Sequence, residues 1–141
     1  MKTMFFAVGK TDARSGGLGM AAVSIASAML LSGAAAMARV FYDEVKLNTS
    51  PPRMGRVTGN LNDAVYRFYA KDQSSDVEKV YHVSWNKSKA PHGHLLEDGT
   101  SRMPAKPFMR PAFDRAPEAI RAGNDRMAER FAEGPNLQVL E

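Results

Sequence analysis

Two histidines and a glutamate in the second half of the chain are of the residue types that bind metal ions. They occur in the order His92-x-His94-x-x-Glu97. A structural zinc site needs four ligands on a defined scaffold, and no fourth ligand lies nearby at a suitable spacing. The pattern therefore favours polar residues at the start of a short helix, with Glu97 as a carboxylate that accepts hydrogen bonds at the helix end or in a turn.

The sequence contains none of the common catalytic or nucleotide-binding motifs. It has no nucleophile elbow with a histidine and an acid, no Gly-Lys-Thr phosphate loop, and no paired carboxylates beside a histidine. A glycine-rich stretch at residues 16–19 does not follow a predicted strand, so it gives little support for a nucleotide site. We predict a protein that is not an enzyme and that uses neither a cofactor nor a metal.

Aromatic side chains in the middle of the chain form a second candidate site, because they can stack on nucleic-acid bases. Aromatic residues more often form sheet core and subunit interfaces, since they bury large areas. The net charge is +4, from 19 basic and 15 acidic residues, and the basic residues are scattered rather than clustered as in a DNA reader. A small nucleic-acid-binding module that uses basic loops and aromatic strands remains the alternative. The aromatic set is Tyr66, Phe68, Tyr69, Tyr81 and Trp85.

The composition predicts one globular domain with a modest core. The chain has 141 residues, of which 44% are hydrophobic and 24% are charged. It contains no cysteine, which excludes disulfide bonds and thiolate zinc sites.

An uncharged run covers residues 15–38 and ends in the small-x-small sequence Ala36-Met37-Ala38. It resembles a secretory signal or membrane anchor, and that alternative stays open. The run is rich in Ala, Ser and Gly and is weakly hydrophobic for a membrane span. We therefore predict a structural helix over residues 20–46 without membrane contact, weakened by about 1 kcal/mol at Gly33 relative to alanine. Residues 1–19 are predicted to be a flexible arm because they contain four glycines.

The remaining elements predict an α+β fold, in which a small antiparallel sheet is packed by the long N-terminal helix and a C-terminal helix, with extended arms or loops. A loop over residues 48–59 is followed by an antiparallel hairpin at residues 65–70 and 78–85. A short helix should end at Gly99. A last helix over residues 110–132, delayed or bent by Pro117, should bury one apolar face, and residues 135–141 form a tail. That face comprises Phe113, Ala116, Ile120, Gly123, Met127 and Phe131. The single domain is predicted to cover residues 20–134.

Three sequence blocks together resemble the neck, or tail-completion, proteins of long-tailed bacteriophages over about residues 37–132. The first block is Thr58-Gly59-Asn60-Leu61, before an aromatic strand. The second is Leu95-Leu96-Glu97-Asp98-Gly99-Thr100, and the third is Pro107-Phe108-Met109-Arg110-Pro111-Ala112-Phe113-Asp114. The chain departs from the family pattern at Asp98, where an aromatic or apolar residue is usual, and in its alanine-rich helix, which is usually more charged.

The resemblance implies a structural virion protein, assembled in the host cytoplasm, that completes the tail or joins it to the head. It implies a homo-oligomeric ring, hexameric first and dodecameric next, around a channel through which DNA passes without sequence recognition. Neighbouring neck, adaptor or tail-terminator proteins are the implied partners. The motif residues are Thr58, Gly59, Leu61, Glu97, Gly99, Thr100, Pro107, Phe108, Arg110, Pro111 and Phe113; the candidate interface residues are Arg53, Arg56, Arg102 and Arg110.

Two side chains at the junction of the second and third blocks have predicted contacts. Glu97 should accept hydrogen bonds from backbone donors beyond its helix, or pair with Arg102 or Arg110. Arg110 lies at a helix start, where the helix dipole is unfavourable to a cation. We therefore expect it to pair with an acidic side chain, either Glu97 or an acidic residue of the next subunit. Phe108 and Phe113 should both anchor the last helix on the sheet.

Overall fold

A computed structural model of the protein describes residues 4–8, 20–50 and 60–133. Within these residues, the strands are β1 (Met4–Val8), β2 (Val65–Tyr69) and β3 (Lys79–Trp85), and the α-helices are α1 (Met20–Asn48), α2 (Asn60–Ala64), α3 (Gly93–Asp98) and α4 (Ala116–Ala132). Two 3-10 helices cover Lys71–Gln73 and Arg110–Arg115. The predicted α+β class, with its antiparallel sheet and two long helices, is confirmed.

The sheet contains three antiparallel strands in the order β1-β3-β2. The predicted hairpin is confirmed, with Val65 opposite Trp85 and Tyr69 opposite Tyr81. The third strand is a correction, because Met4–Val8 was assigned to a flexible arm but pairs with β3 along its whole length. Its five residues, MFFAV, suit a strand, and the glycines that follow obscured this signal. The other residues of the predicted arm lie outside the described residues.

Helix α1 runs for 29 residues and ends two residues beyond the prediction. Asn48 therefore belongs to the helix and not to the predicted loop. Thr49 and Ser50 close the end, because their hydroxyls donate to the carbonyls of Val45 (3.0 Å) and Leu47 (2.6 Å). Two prolines follow in the sequence and cannot continue a helix. The rest of that loop and the tail at residues 135–141 lie outside the described residues.

The core lies between α1 and one face of the sheet. From α1 it takes Ala38, Phe41 and Val45, and from the sheet it takes Val65, Val83 and Trp85; Leu61, Phe108, Met109, Ala112 and Ala119 complete it. Since strand side chains alternate between faces, Arg67 and Tyr81 also belong to this inner face, and Arg67 lies over the Tyr42 ring at 5.6 Å. Burial raises the pKa of the Tyr81 hydroxyl, while the Arg67 charge opposes the shift.

Helices α1 and α4 cross closely at two glycines. A β-carbon on Gly33 would lie 2.6 Å from Met127 Cγ, and one on Gly123 would lie 2.6 Å from Met37 Cγ. Gly33 was expected only to weaken α1. The structure shows that it also allows the close approach of α4, an effect that depends on a contact between distant parts of the chain.

Within the described residues, α1 alone has a segment, Ile25–Asn48, that is long and apolar enough to cross a membrane by length and composition. The side chains of Ala34, Ala38 and Val45 in this segment are fully buried against the rest of the protein. The core helix of a soluble protein can have the same length and composition, so the segment is only weak evidence for a membrane span.

The last helix begins as a 3-10 helix at Arg110 and becomes α-helical at Ala116, just before Pro117. The predicted delay at the proline is confirmed. The predicted buried face is partly wrong. Small residues face the core (Ala112, Ala119 and Gly123), whereas Phe113, Ile120 and Phe131 are exposed.

Candidate functional site

The Glu97 carboxylate joins the second and third sequence blocks. Its side chain is only 1% exposed, although it is ionisable. Oε2 accepts hydrogen bonds from the backbone N–H groups of Phe108 (2.8 Å) and Met109 (3.0 Å), and Oε1 accepts one from Arg110 (3.1 Å). These three donors lie at the start of the 3-10 helix, where backbone N–H groups have no partner within the helix. The predicted contact of Glu97 with backbone donors is confirmed.

Arg110 closes this arrangement on its solvent side. Its Nη2 donates to Asp98 Oδ1 at 2.9 Å, and its Nε lies 3.7 Å from Glu97 Oε1. The predicted pairing of Arg110 with Glu97 is therefore confirmed, within the subunit. Arg102, the other predicted partner, is exposed, and its backbone N–H donates to the Thr100 hydroxyl at 3.3 Å. Asp98, at which the chain departs from the family pattern, forms this ion pair with Arg110.

The turn between the two blocks depends on Gly99, which has φ +76°. Its N–H donates to Leu95 O at 2.8 Å and ends α3, as predicted. Its ψ of −179° is extended, so Gly99 lies outside the left-handed helical region. A β-carbon would lie 2.7 Å from the backbone nitrogen of Ala105. Thr100 continues the turn, since its N–H donates to Met103 O at 2.8 Å.

The third block and the segment that follows the first block both contact the C-terminal end of α1. Asn48 Nδ2 donates to Phe108 O at 3.1 Å. Asn62 Nδ2 donates to Lys46 O at 2.7 Å, and Lys46 Nζ donates to Asn62 O at 2.7 Å. Leu61 is fully buried in the core beside this end. Neither Asn48 nor Asn62 was predicted from the sequence to be a site residue, because their partners are backbone carbonyls that are distant in the chain.

Each predicted motif residue in the described part of the chain has a definite place. Phe108 is fully buried and meets Trp85 edge to face, with ring centroids 5.3 Å apart. Pro111 lies in the first turn of the 3-10 helix, and Pro107 is exposed. Phe113 is a correction, since it is 51% exposed and only borders Phe41 at a centroid distance of 6.2 Å. Arg53, Arg56, Thr58 and Gly59 lie outside the described residues.

The metal-binding alternative has no geometric support. His92 and His94 are exposed, whereas Glu97 is buried and holds the backbone at Phe108–Arg110. In the described ranges, no group of three or more His, Asp or Glu side chains could hold a metal ion.

Gly93, at the start of α3, allows close packing on Trp85. A β-carbon there would lie 2.4 Å from Trp85 Nε1 and 2.7 Å from Cε2. Both atoms belong to a rigid ring that is 5% exposed. We expect Gly93→Ala to lower the free energy of unfolding by about 1–3 kcal/mol, because the ring must shift within a packed core. Chemical denaturation measures this loss.

His94→Ala is the matched control for Gly93→Ala, since His94 is exposed on the same short helix. Its expected effect is within about 0.5 kcal/mol of zero. Equal stabilities of the Gly93→Ala variant and the wild type would mean that α3 can move away from Trp85 without cost.

Comparisons with protein-family models, with curated proteins and with solved structures each found no match to this chain.

Proposed function

We propose that this protein is a structural subunit of a bacteriophage neck, which forms a ring around the DNA channel and completes the tail or joins it to the head. The observation that carries the proposal is the junction of the second and third sequence blocks. Glu97 joins the second block to the third, and Asn48 joins the third to the end of α1, where Asn62 also binds. The residues of these two blocks, which resemble neck proteins, thus belong to one architectural unit.

The polar contacts of this unit are of the kind that fix a backbone. The Glu97 oxygens are occupied by three amide donors and the Arg110 side chain. A general acid or base must instead be within reach of a substrate proton. The proposal that the protein is not an enzyme rests on this use of its one fully buried carboxylate in the described residues.

The proposed function predicts a defect in particle assembly when the protein is missing. In a phage that carries this gene, a nonsense mutation should leave filled heads and separate tails, which electron micrographs would count. Supply of the wild-type protein from a plasmid should restore tailed particles. Imaging of their necks should show a ring, with six copies expected first and twelve next. Normal tailed particles without the protein, or a single copy in the neck, would refute the proposal.

A nucleic-acid-binding module is the second candidate, because two aromatic side chains on the outer face of the sheet are exposed. Tyr66 is 40% exposed and Phe68 is 46% exposed. Exposed aromatic rings on a sheet can stack with bases. Retention of the isolated protein on DNA that weakens steeply with salt would favour this candidate.

The basic residues of the same strands do not support that candidate. Arg67 lies on the inner face over the Tyr42 ring, and Lys79 is buried on that face too. Neither cation is therefore placed beside Tyr66 and Phe68, where it would contact a phosphate backbone. This arrangement favours the structural role over the nucleic-acid module.

A further inference from the structure

Four exposed cations lie at one end of the sheet. Two of them follow the end of β3, and the other two follow α3, whose Gly93 packs on Trp85 at the end of the same strand. Among the described residues, none of the four forms an ion pair. We call this set the basic end, which comprises Lys87, Lys89, Arg102 and Lys106.

Several other cations of the subunit are used inside it. Arg110 pairs with Asp98 at 2.9 Å, and Arg126 pairs with Glu129 at the same distance. Lys46 donates to a backbone carbonyl at the end of α1. The basic end makes no contact of this kind with its side chains, so its charges are available to a partner outside the subunit.

The backbone of the basic end is fixed to the rest of the domain. Asn86 Oδ1 accepts hydrogen bonds from the N–H groups of Ser88 at 2.9 Å and Lys89 at 3.3 Å. The N–H of Lys106 donates to Leu96 O in α3 at 2.7 Å. Binding would therefore order the long side chains but not the loops that carry them, which lowers its entropic cost.

The opposite end of the hairpin is acidic. The turn between β2 and β3 carries Asp72, Asp76 and Glu78 but only one cation, Lys71. The strand between the two ends has seven residues, which gives a separation of about 23 Å at about 3.3 Å per residue. Exposed charges are largely screened beyond about 10 Å at 0.1 M salt. The acidic turn therefore does not cancel the positive potential of the basic end.

We propose that the basic end binds the phosphate backbone of double-stranded DNA without reading its sequence. A duplex carries one negative charge per about 1.7 Å of its axis, so cations on separate loops each reach a phosphate without a matched geometry. An acidic protein surface would instead have to place its charges opposite these four positions. The inference goes beyond the proposed neck function, since it rests on the distribution of charge in the subunit and not on a ring.

Two double variants test the basic end, Lys87→Ala with Lys89→Ala and Arg102→Ala with Lys106→Ala. The probe is a short fluorescent DNA duplex, titrated with the full chain at several salt concentrations. Each double variant should lower the association constant by about 100-fold at about 50 mM salt. It should also reduce the slope of log K against log salt by about two, because each phosphate contact contributes about 0.9. Both variants should keep the wild-type circular dichroism spectrum, since all four side chains are exposed.

Lys71→Ala with Arg121→Ala is the matched control, because it removes the same charge from two exposed cations outside the basic end. Its association constant should stay within about threefold of the wild-type value, since it removes no phosphate contact. An equal loss in the control would show that only the net charge matters and would overturn the proposal. Failure of the wild-type protein to bind the duplex would overturn it as well.

Phe68→Ala separates the basic end from base stacking, because both would give DNA binding that weakens with salt. The variant should bind the duplex as the wild type does, since the bases of a duplex are already stacked on each other. Loss of binding in Phe68→Ala, with both double variants unaffected, would place the DNA contact on the sheet and overturn the proposal. Tighter binding to vesicles with about 30% phosphatidylserine than to the duplex would also overturn it, in favour of an anionic membrane.

This test is separate from the test of the neck function. Duplex binding that depends on the basic end, in a protein not required for joining heads to tails, would refute the neck function and leave this inference standing. A protein that is required for joining but does not bind the duplex would refute this inference and leave the neck function standing.

Discussion

Glu97→Ala should lower the free energy of unfolding by about 3–5 kcal/mol, because it leaves the N–H groups of three consecutive residues buried or partly buried without their acceptor. Each unsatisfied buried donor costs about 1–3 kcal/mol, and partial access of water at Arg110 reduces the sum. Urea denaturation followed by circular dichroism measures the loss. A domain of ordinary stability, about 5–15 kcal/mol, should stay folded with a loss of this size and unfold at a lower urea concentration.

Glu97→Gln and Asp98→Asn separate the role of the buried carboxylate from that of the surface ion pair. Glutamine keeps the size of the side chain but offers one acceptor oxygen, so we expect an intermediate loss of about 2 kcal/mol. Asp98→Asn removes the charge from an exposed pair with Arg110 and should cost at most about 1 kcal/mol. A Glu97→Ala loss below about 1 kcal/mol would show that the 3-10 helix forms without its acceptor.

Phe108→Ala should lower the free energy of unfolding by about 3–5 kcal/mol, because it opens a cavity beneath Trp85 in the centre of the core. The removed ring is fully buried and its backbone is held on both sides by Glu97 and Asn48. The surrounding structure therefore has little freedom to collapse into the space. Chemical denaturation measures the loss, and Phe108→Leu, which leaves a smaller cavity, should lose less.

Phe113→Ala is the matched control for Phe108→Ala, since it removes the same group from a side chain that is 51% exposed. We expect a loss of at most about 1 kcal/mol, which corrects the expectation from the sequence that both phenylalanines anchor the helix equally. Similar large losses at both positions would mean that the last helix turns its apolar flank inward. Similar small losses would mean that Phe108 does not lie in the core.

The spacing of residues along the chain was sufficient to predict most of the secondary structure. The hairpin at residues 65–70 and 78–85 was predicted, and the predicted end of α1 lies within two residues of the observed one. Gly99 predicted the end of α3, and Pro117 predicted the delayed start of α4. These signals are local, because they arise from side-chain periodicity and from the backbone restrictions of proline and glycine.

Glu97 illustrates how much of the site could be predicted from the sequence. Its position before a glycine turn predicted that it would accept hydrogen bonds from the backbone beyond its helix. The sequence did not decide which donors it would take, because backbone donors, Arg102 and Arg110 all follow Glu97 in the chain and their spacing does not select one of them. The path of the turn at Gly99 brings Phe108–Arg110 to the carboxylate and leaves the Arg102 side chain in solvent.

Packing against α1 selects which flank of the last helix is buried. Helical spacing placed Phe113, Ile120 and Phe131 on one side, but spacing alone cannot say whether that side meets the core or solvent. The close crossing of α1 and α4 at Gly33 and Gly123 requires small residues at the contact, so the large ones turn outward. The pairing of β1 with β3 could likewise not be predicted from the sequence, since it joins residues about 75 positions apart. Local chemistry along the chain was enough to predict most of the helices and strands and the acceptor role of Glu97, whereas contacts between distant segments formed β1 and set the exposed surfaces.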